Sequence, residues 1–239
     1  MLRSCLLPCS LFFSAMSLHS AEPSSEQDCI GVWYLSWQTH TAVPEGCNTG
    51  LAFSGWADIG KALSDSEAIY DQLPGTKFIT IGGGNQDGAF TAGVLESLNL
   101  SIAEGELQAY SGIAYDIEEG DSGLADLFAE SFKIAKAQGF TVMVTISHSA
   151  PYGIPDAASL MQRILTDQNV DYISPQLYTT GREPQNDYQT IAGVDWTLYA
   201  QTNAKIVPSI ADAALYPDAQ AYFLKHGITL SGFIEWNQE

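Results

Sequence analysis

The residues in this sequence best suited to covalent chemistry are two carboxylates two positions apart. They close the run SGIAYDIE (111–118), in which Gly112, Ala114, Asp116 and Glu118 recur at every second position. In an extended chain such residues share a face, so Asp116 and Glu118 stand side by side. Repulsion between like charges raises the pKa of one member of such a pair, as a general acid working near neutral pH requires. The same spacing also suits a hydrated strand end or an acid pair capping the next helix. Glu119 points to the opposite face, as a structural or solvated group.

Other apolar runs end in groups that could serve such a pair. Gln176 and Tyr178 lie two apart at the end of DYISPQLY (171–178), Trp236 ends ITLSGFIEW (228–236), and Gly82 and Gly83 clear space at the end of KFITIGGG (77–84). Phe53 is a further candidate for lining a site, and His148 suits a satisfied rim position better than catalysis. Trp33 and Tyr34 compete for the inward face of the first run. An indole floor with carboxylates at its edge is a common way to hold a sugar ring, whose apolar face stacks on aromatics.

These groups converge only if the elements carrying them do. Eight short runs rich in β-branched and aromatic residues (30–37, 50–56, 77–84, 111–118, 140–147, 171–178, 204–210 and 228–236) alternate mostly with helical patterns. Helices are expected over 124–138, 157–168 with Asp156 as N-cap, 188–202 and 218–226; the 38–48 connection is too short and polar for one. Eight strands with helical crossovers predict a single compact (β/α)8 barrel without an inserted domain, whose active site gathers at the C-terminal strand ends. The alternative, an open doubly wound sheet, lacks its usual glycine fingerprint, since IGGGNQDG has neither the GxGxxG spacing nor a following Walker lysine.

Composition narrows the partners. The 239 residues carry a formal net charge of −19 with nine Lys and Arg. That charge repels phosphate backbones and anionic lipid, so nucleic acid and membrane partners are not expected. Residues 1–21 read as a secretory signal peptide: Arg3, then an apolar stretch through Phe13, then small residues to Ala21. The mature domain is then 22–239 and secreted, or periplasmic in a bacterium. Cys5 and Cys9 leave with the signal, and Cys29 with Cys47 is expected to form one disulfide in an oxidising compartment. No metal or cofactor motif is present, and a monomer is expected.

The strand ends resemble glycoside hydrolase family 18, the chitinases and endo-β-N-acetylglucosaminidases. The family's D-G-x-D-x-D-x-E aligns with SGIAYDIE (111–118), its S-x-G-G with Thr80 to Gly83, its Q-x-Y with Gln176 to Tyr178, and its last-strand tryptophan with Trp236. VWYLSW (32–37) is similar to its G-Y-Y-x-x-W, and SAPYGIPD (149–156) to its A-A-P…P-D segment. The resemblance implies hydrolysis of β-1,4 linkages at N-acetylglucosamine residues by substrate-assisted, retaining catalysis. It assigns Glu118 as acid and base, Asp116 as orienter of the 2-acetamido group, Tyr178 as donor to that group's oxygen, Gln176 as support and Trp236 as floor. Two motif aspartates are replaced, by Ser111 and Ala114; the second sits directly beneath Asp116, which predicts a slow enzyme rather than a dead one. Without an inserted domain the groove should be open and the action endo. A silent chitinase-like lectin and a structural or storage barrel are the alternatives.

Overall fold

The computed structural model describes residues 28–38 and 43–236. The expected signal segment, 1–21, lies outside them.

Strands form where apolar residues can be buried on two faces at once. They are β1 (Cys29–Leu35), β2 (Thr49–Phe53), β3 (Thr76–Gly82), β4 (Gly112–Ile117), β5 (Thr141–Ser147), β6 (Tyr172–Gln176), β7 (Lys205–Ile206), β8 (Ser209–Ile210) and β9 (Gly232–Glu235). All pairings are parallel, running β5-β4-β3-β2-β1-β9-β8-β6 and closing through β5–β6. β7 and β8 are two halves of one barrel strand, interrupted at Val207-Pro208, where proline has no N–H to donate to a ladder. The barrel is therefore the eight-stranded one expected.

Helices α1 (Ile59–Glu67), α2 (Ala92–Glu104), α3 (Ala125–Ala137), α4 (Ala157–Leu165) and α5 (Tyr216–Lys225) form the outer layer. Asp156 precedes α4 without capping it; its carboxylate accepts instead from Gly123 N–H at 2.9 Å. The helix expected over 188–202 is only a 3-10 turn, Trp196–Gln201. Left-handed backbone at Ala192 (φ 53°) and Gly193 (φ 73°) stops an α-helix there, and Asp195 caps the shorter turn.

Strand alternation divides the apolar residues into two cores. Val32, Tyr34, Ile79, Ile81, Tyr115 and Ile117 face the helices. Trp33, Leu51, Phe78, Ala114, Met143 and Ile234 fill the barrel. Trp33 is thus the inward residue of the first strand and Tyr34 the outward one. The indole of Trp33 is fully buried and donates to Ser209 Oγ at 3.0 Å.

The expected disulfide is not formed. Cys29 and Cys47 are free thiols, and each turns to Thr49, Cys29 donating to its hydroxyl and Cys47 to its carbonyl, both at 3.5 Å. Burial pushes both thiols up, which keeps them protonated as donors. Among the described residues no helix is long and apolar enough to cross a membrane, and no cluster of His, Cys, Asp and Glu could hold a metal ion.

Candidate active site

The C-terminal ends of β4, β5, β6 and β9 bring the polar groups together. Asp116 and Glu118 project from β4 and its extension into the barrel mouth, above Ala114. Gln176, at the end of β6, donates from one amide nitrogen to both: Nε2 lies 3.0 Å from Asp116 Oδ1 and 3.0 Å from Glu118 Oε1. With both carboxyls on one amide nitrogen and both pushed above their ordinary values, the pair is built to keep a proton. Asp116 is 1% exposed and receives a further bond, 2.6 Å, from Thr145 Oγ1 on β5.

Burial dominates the electrostatics. It pushes Asp116 up to about 6, against the hydrogen bonds from Thr145 and Gln176 that favour its anion. Burial, then the charge of Asp116, drives Glu118 well above the ordinary carboxylate range. Tyr178 is buried and held far above the usual phenol range by desolvation and by the two carboxylates, so its hydroxyl stays a donor. That hydroxyl has no well-formed hydrogen bond among the described residues. Its neighbour Ser209 is already engaged by Trp33 and Ser174.

Two hollows meet at Glu118. The first, about 260 Å³, is aromatic and lies among Trp37, Phe53, Trp236, Tyr178 and Asp116. Trp236 stacks on Tyr178 (centroids 5.6 Å, 29°) and meets Phe53 and Trp33 edge-on at 5.6 and 5.5 Å. The second, about 440 Å³, includes Ser147, His148, Tyr152, Gln189 and Ile191. His148 is buried there at φ 48°, with Nε2 3.1 Å from Asp187 Oδ2, which ties the loop after β6 to the end of β5. Glu119 accepts at 2.8 Å from the hydroxyl of Tyr152, a side chain that lines the second hollow with Glu118.

The glycines divide the work of making room. Gly82 and Gly83 lie behind the hollows: a Cβ on Gly82 would strike the Asp116 carbonyl, and one on Gly83 would sit 3.2 Å from the Phe53 ring. Gly84 lines both hollows, and its Cβ would stand 2.7 Å from Glu118 Oε2. Gly84, Tyr152 and Thr145 were not among the candidates read from the sequence. Thr145 left little signal there, since Thr141 and Ser147 share its inward period on β5.

The turn after Tyr178 holds the tryptophan. Glu183 accepts from Thr179 N–H (3.0 Å), Thr180 N–H (2.6 Å), the Thr180 hydroxyl (2.9 Å) and Arg182 N–H (2.9 Å). Against partial burial, these bonds draw its carboxyl down to about 2. The turn places Gly181, at φ 78°, against the indole of Trp236, where a Cβ would collide with the ring. Gly181→Ala is expected to displace Trp236 and break its stack on Tyr178, a contact of about 0.5–1.5 kcal/mol, with a shift in tryptophan emission. Unchanged emission and unchanged Tm would show that the indole does not move.

No family model matches the chain, and no curated protein matches it. Among solved structures it is similar to the spore cortex-lytic enzyme SleL of Bacillus megaterium QM B1551, at 11% identity and a TM-score of 0.44 over 78% of this chain and 51% of that one. The Bacillus cereus SleL gives 11% identity and 0.42 over 78% and 52%. Haloferax volcanii malate synthase gives 10% identity and 0.45 over 90% and 68%. The chain spans about half the length of the two SleL structures it matches. At these identities the likeness concerns the backbone alone and assigns no residue roles.

Proposed function

We propose that this protein is a glycoside hydrolase that cleaves β-1,4 linkages at N-acetylglucosamine residues, with the substrate's own acetamido group as nucleophile. One observation carries the reading: both carboxyls lie on the same side of the cleft, bridged by a single amide nitrogen of Gln176. Ordinary glycosidases place two carboxyls across the scissile bond, about 5–5.5 Å apart for a covalent nucleophile or about 6.5–9.5 Å apart for an interposed water. Asp116 is 1% exposed and held by Thr145 and Gln176, which suits it to orient a group and not to attack an anomeric carbon, so under this reading the nucleophile comes from the substrate.

The chemistry follows from the proton held by the pair. Glu118, the carboxyl nearer solvent, gives its proton to the glycosidic oxygen as the bond to the anomeric carbon breaks. The acetamido oxygen closes on that carbon, forming a cyclic oxazolinium ion. Asp116, as the anion, accepts the acetamido N–H and faces the developing positive charge, while the unpaired Tyr178 hydroxyl donates to the acetamido oxygen. Water then adds to the anomeric carbon and passes its proton to Glu118, so the configuration is retained. Trp236 floors the aromatic hollow under the sugar being cleaved, and the leaving sugar occupies the hollow beside His148 and Tyr152.

The substrate's acetamido group is therefore the decisive variable. A fluorogenic N,N′-diacetylchitobioside is expected to be hydrolysed with retention, followed by proton NMR of the product anomer, while the matching cellobioside is inert. Turnover of both sugars rules out substrate assistance. Binding of chitooligosaccharide without turnover makes the protein a lectin.

A further inference from the structure

Asp116 is bonded unequally to its neighbours. Thr145 Oγ1 (2.6 Å) and Gln176 Nε2 (3.0 Å) both donate to the same oxygen, Oδ1. Glu118 receives only the second proton of the Gln176 amide. Thr145 stands opposite Asp116 in the β4–β5 register, is fully buried, and among the described residues has one other acceptor in reach, the Tyr115 carbonyl at 3.5 Å. Ala114 is buried among Trp33, Phe78 and Met143, and the Thr80 hydroxyl, in register with Ala114, has no partner among the described residues.

We propose that Thr145 is a positioning residue that breaks the symmetry of the carboxyl pair, fixing Asp116 as the anion so that the shared proton resides on Glu118. Its hydroxyl and the Gln176 amide hold Oδ1 from two neighbouring strands, which sets the rotation of the carboxylate and leaves Oδ2 for the site. A hydrogen bond to an anion favours that anion, and Glu118 has no equivalent of the Thr145 bond. Support for Asp116 comes sideways from β5, so the barrel interior at Ala114 can stay apolar. The other ionisable groups whose charge bears on the pair are Glu119, Tyr152 and Tyr178. Burial raises both tyrosines, and they stay neutral across the range in which carboxyls titrate.

The electrostatic part of this inference stands by itself; its catalytic part rests on the hydrolase reading. The test is therefore made first on the protein without substrate, by following ¹³C-labelled Asp and Glu side-chain carboxyl signals against pH. Asp116→Asn and Glu118→Gln assign the pair. Thr145→Val removes the donor at nearly constant size, and Thr145→Ser keeps it. In Thr145→Val the first ionisation of the pair is expected to move up by roughly one unit, and Thr145→Ser should restore it. If the reading of function also holds, the acidic limb of kcat/KM moves up with it and kcat falls, while Thr145→Ser recovers both. Equal titrations in the valine and serine variants overturn the proposal, as does a shift confined to Glu118. A shifted titration in a protein that hydrolyses nothing leaves the proton assignment standing and removes the hydrolase reading.

Discussion

If the proposed function holds, Glu118→Gln is expected to lower kcat for a chitooligosaccharide by about 10²–10⁴-fold, the range a positioned general acid supplies. Glutamine still accepts the Gln176 amide proton through its carbonyl, so the bridge to β6 is kept while the transferable proton is lost. KM should change little, because the floor at Trp236 and the donor at Tyr178 are untouched. The same variant should be more stable than the parent at neutral pH. Glu118 is held well above its ordinary pKa by burial and by Asp116, so the folded state keeps a proton that the unfolded chain releases. Stability from this group is therefore complete below the unfolded carboxyl value, and is lost as pH rises towards the folded one. The gain in Tm on Glu118→Gln should be clear at pH 7 and vanish near pH 4. Full activity in the glutamine variant would remove Glu118 from the mechanism. A Tm difference that grows on acidification would reverse the electrostatic argument.

Trp33→Ala is expected to cost about 3–5 kcal/mol of stability, the range for truncating a large aromatic in a packed core. Each kcal/mol lowers Tm by roughly 2–4 °C for a domain of this size, so the loss is easily read by calorimetry. The indole is 0% exposed, meets Phe53 edge-on at 5.1 Å and Trp236 at 5.5 Å, and donates to Ser209 Oγ. Its removal leaves a cavity directly below the aromatic hollow and frees Ser209 of one of its two partners. Trp236 then loses one of its supports, so under the proposed function oligosaccharide binding should weaken together with stability. Trp33→Phe, which keeps most of the volume but not the N–H, should fall between parent and alanine variant. A cost below about 1 kcal/mol for the alanine variant would mean that the barrel interior collapses to fill the space.

Much of the fold was legible because periodicity is a local property. Eight strand-like runs separated mainly by helical patterns left few topologies: crossovers between parallel strands are right-handed, and eight strands are the number that closes a barrel. Where local signals misled, a neighbour outweighed them. Asp156 had the residue type of an N-cap but found the Gly123 N–H across a loop. The 188–202 segment carried helical spacing, yet two consecutive left-handed residues broke it. The cysteine pair suited a disulfide by count, while Thr49 gave each thiol a separate partner.

The candidate site divides along the same line. Period-2 spacing by itself put Asp116 and Glu118 on one face and Glu119 on the other, since alternation is a property of any extended chain. Only the closed barrel decided that Trp33 rather than Tyr34 turns inward, because that choice depends on which side of the strand becomes the interior. Only the barrel brought Gln176, 58 residues away in the chain, to bridge Glu118 with Asp116. It also set Thr145 beside Asp116 through the β4–β5 register. Residue types and their spacing determined which groups could react. The register between strands decided which donors reach them, because a hydrogen bond of about 3 Å depends on neighbours that no single segment specifies.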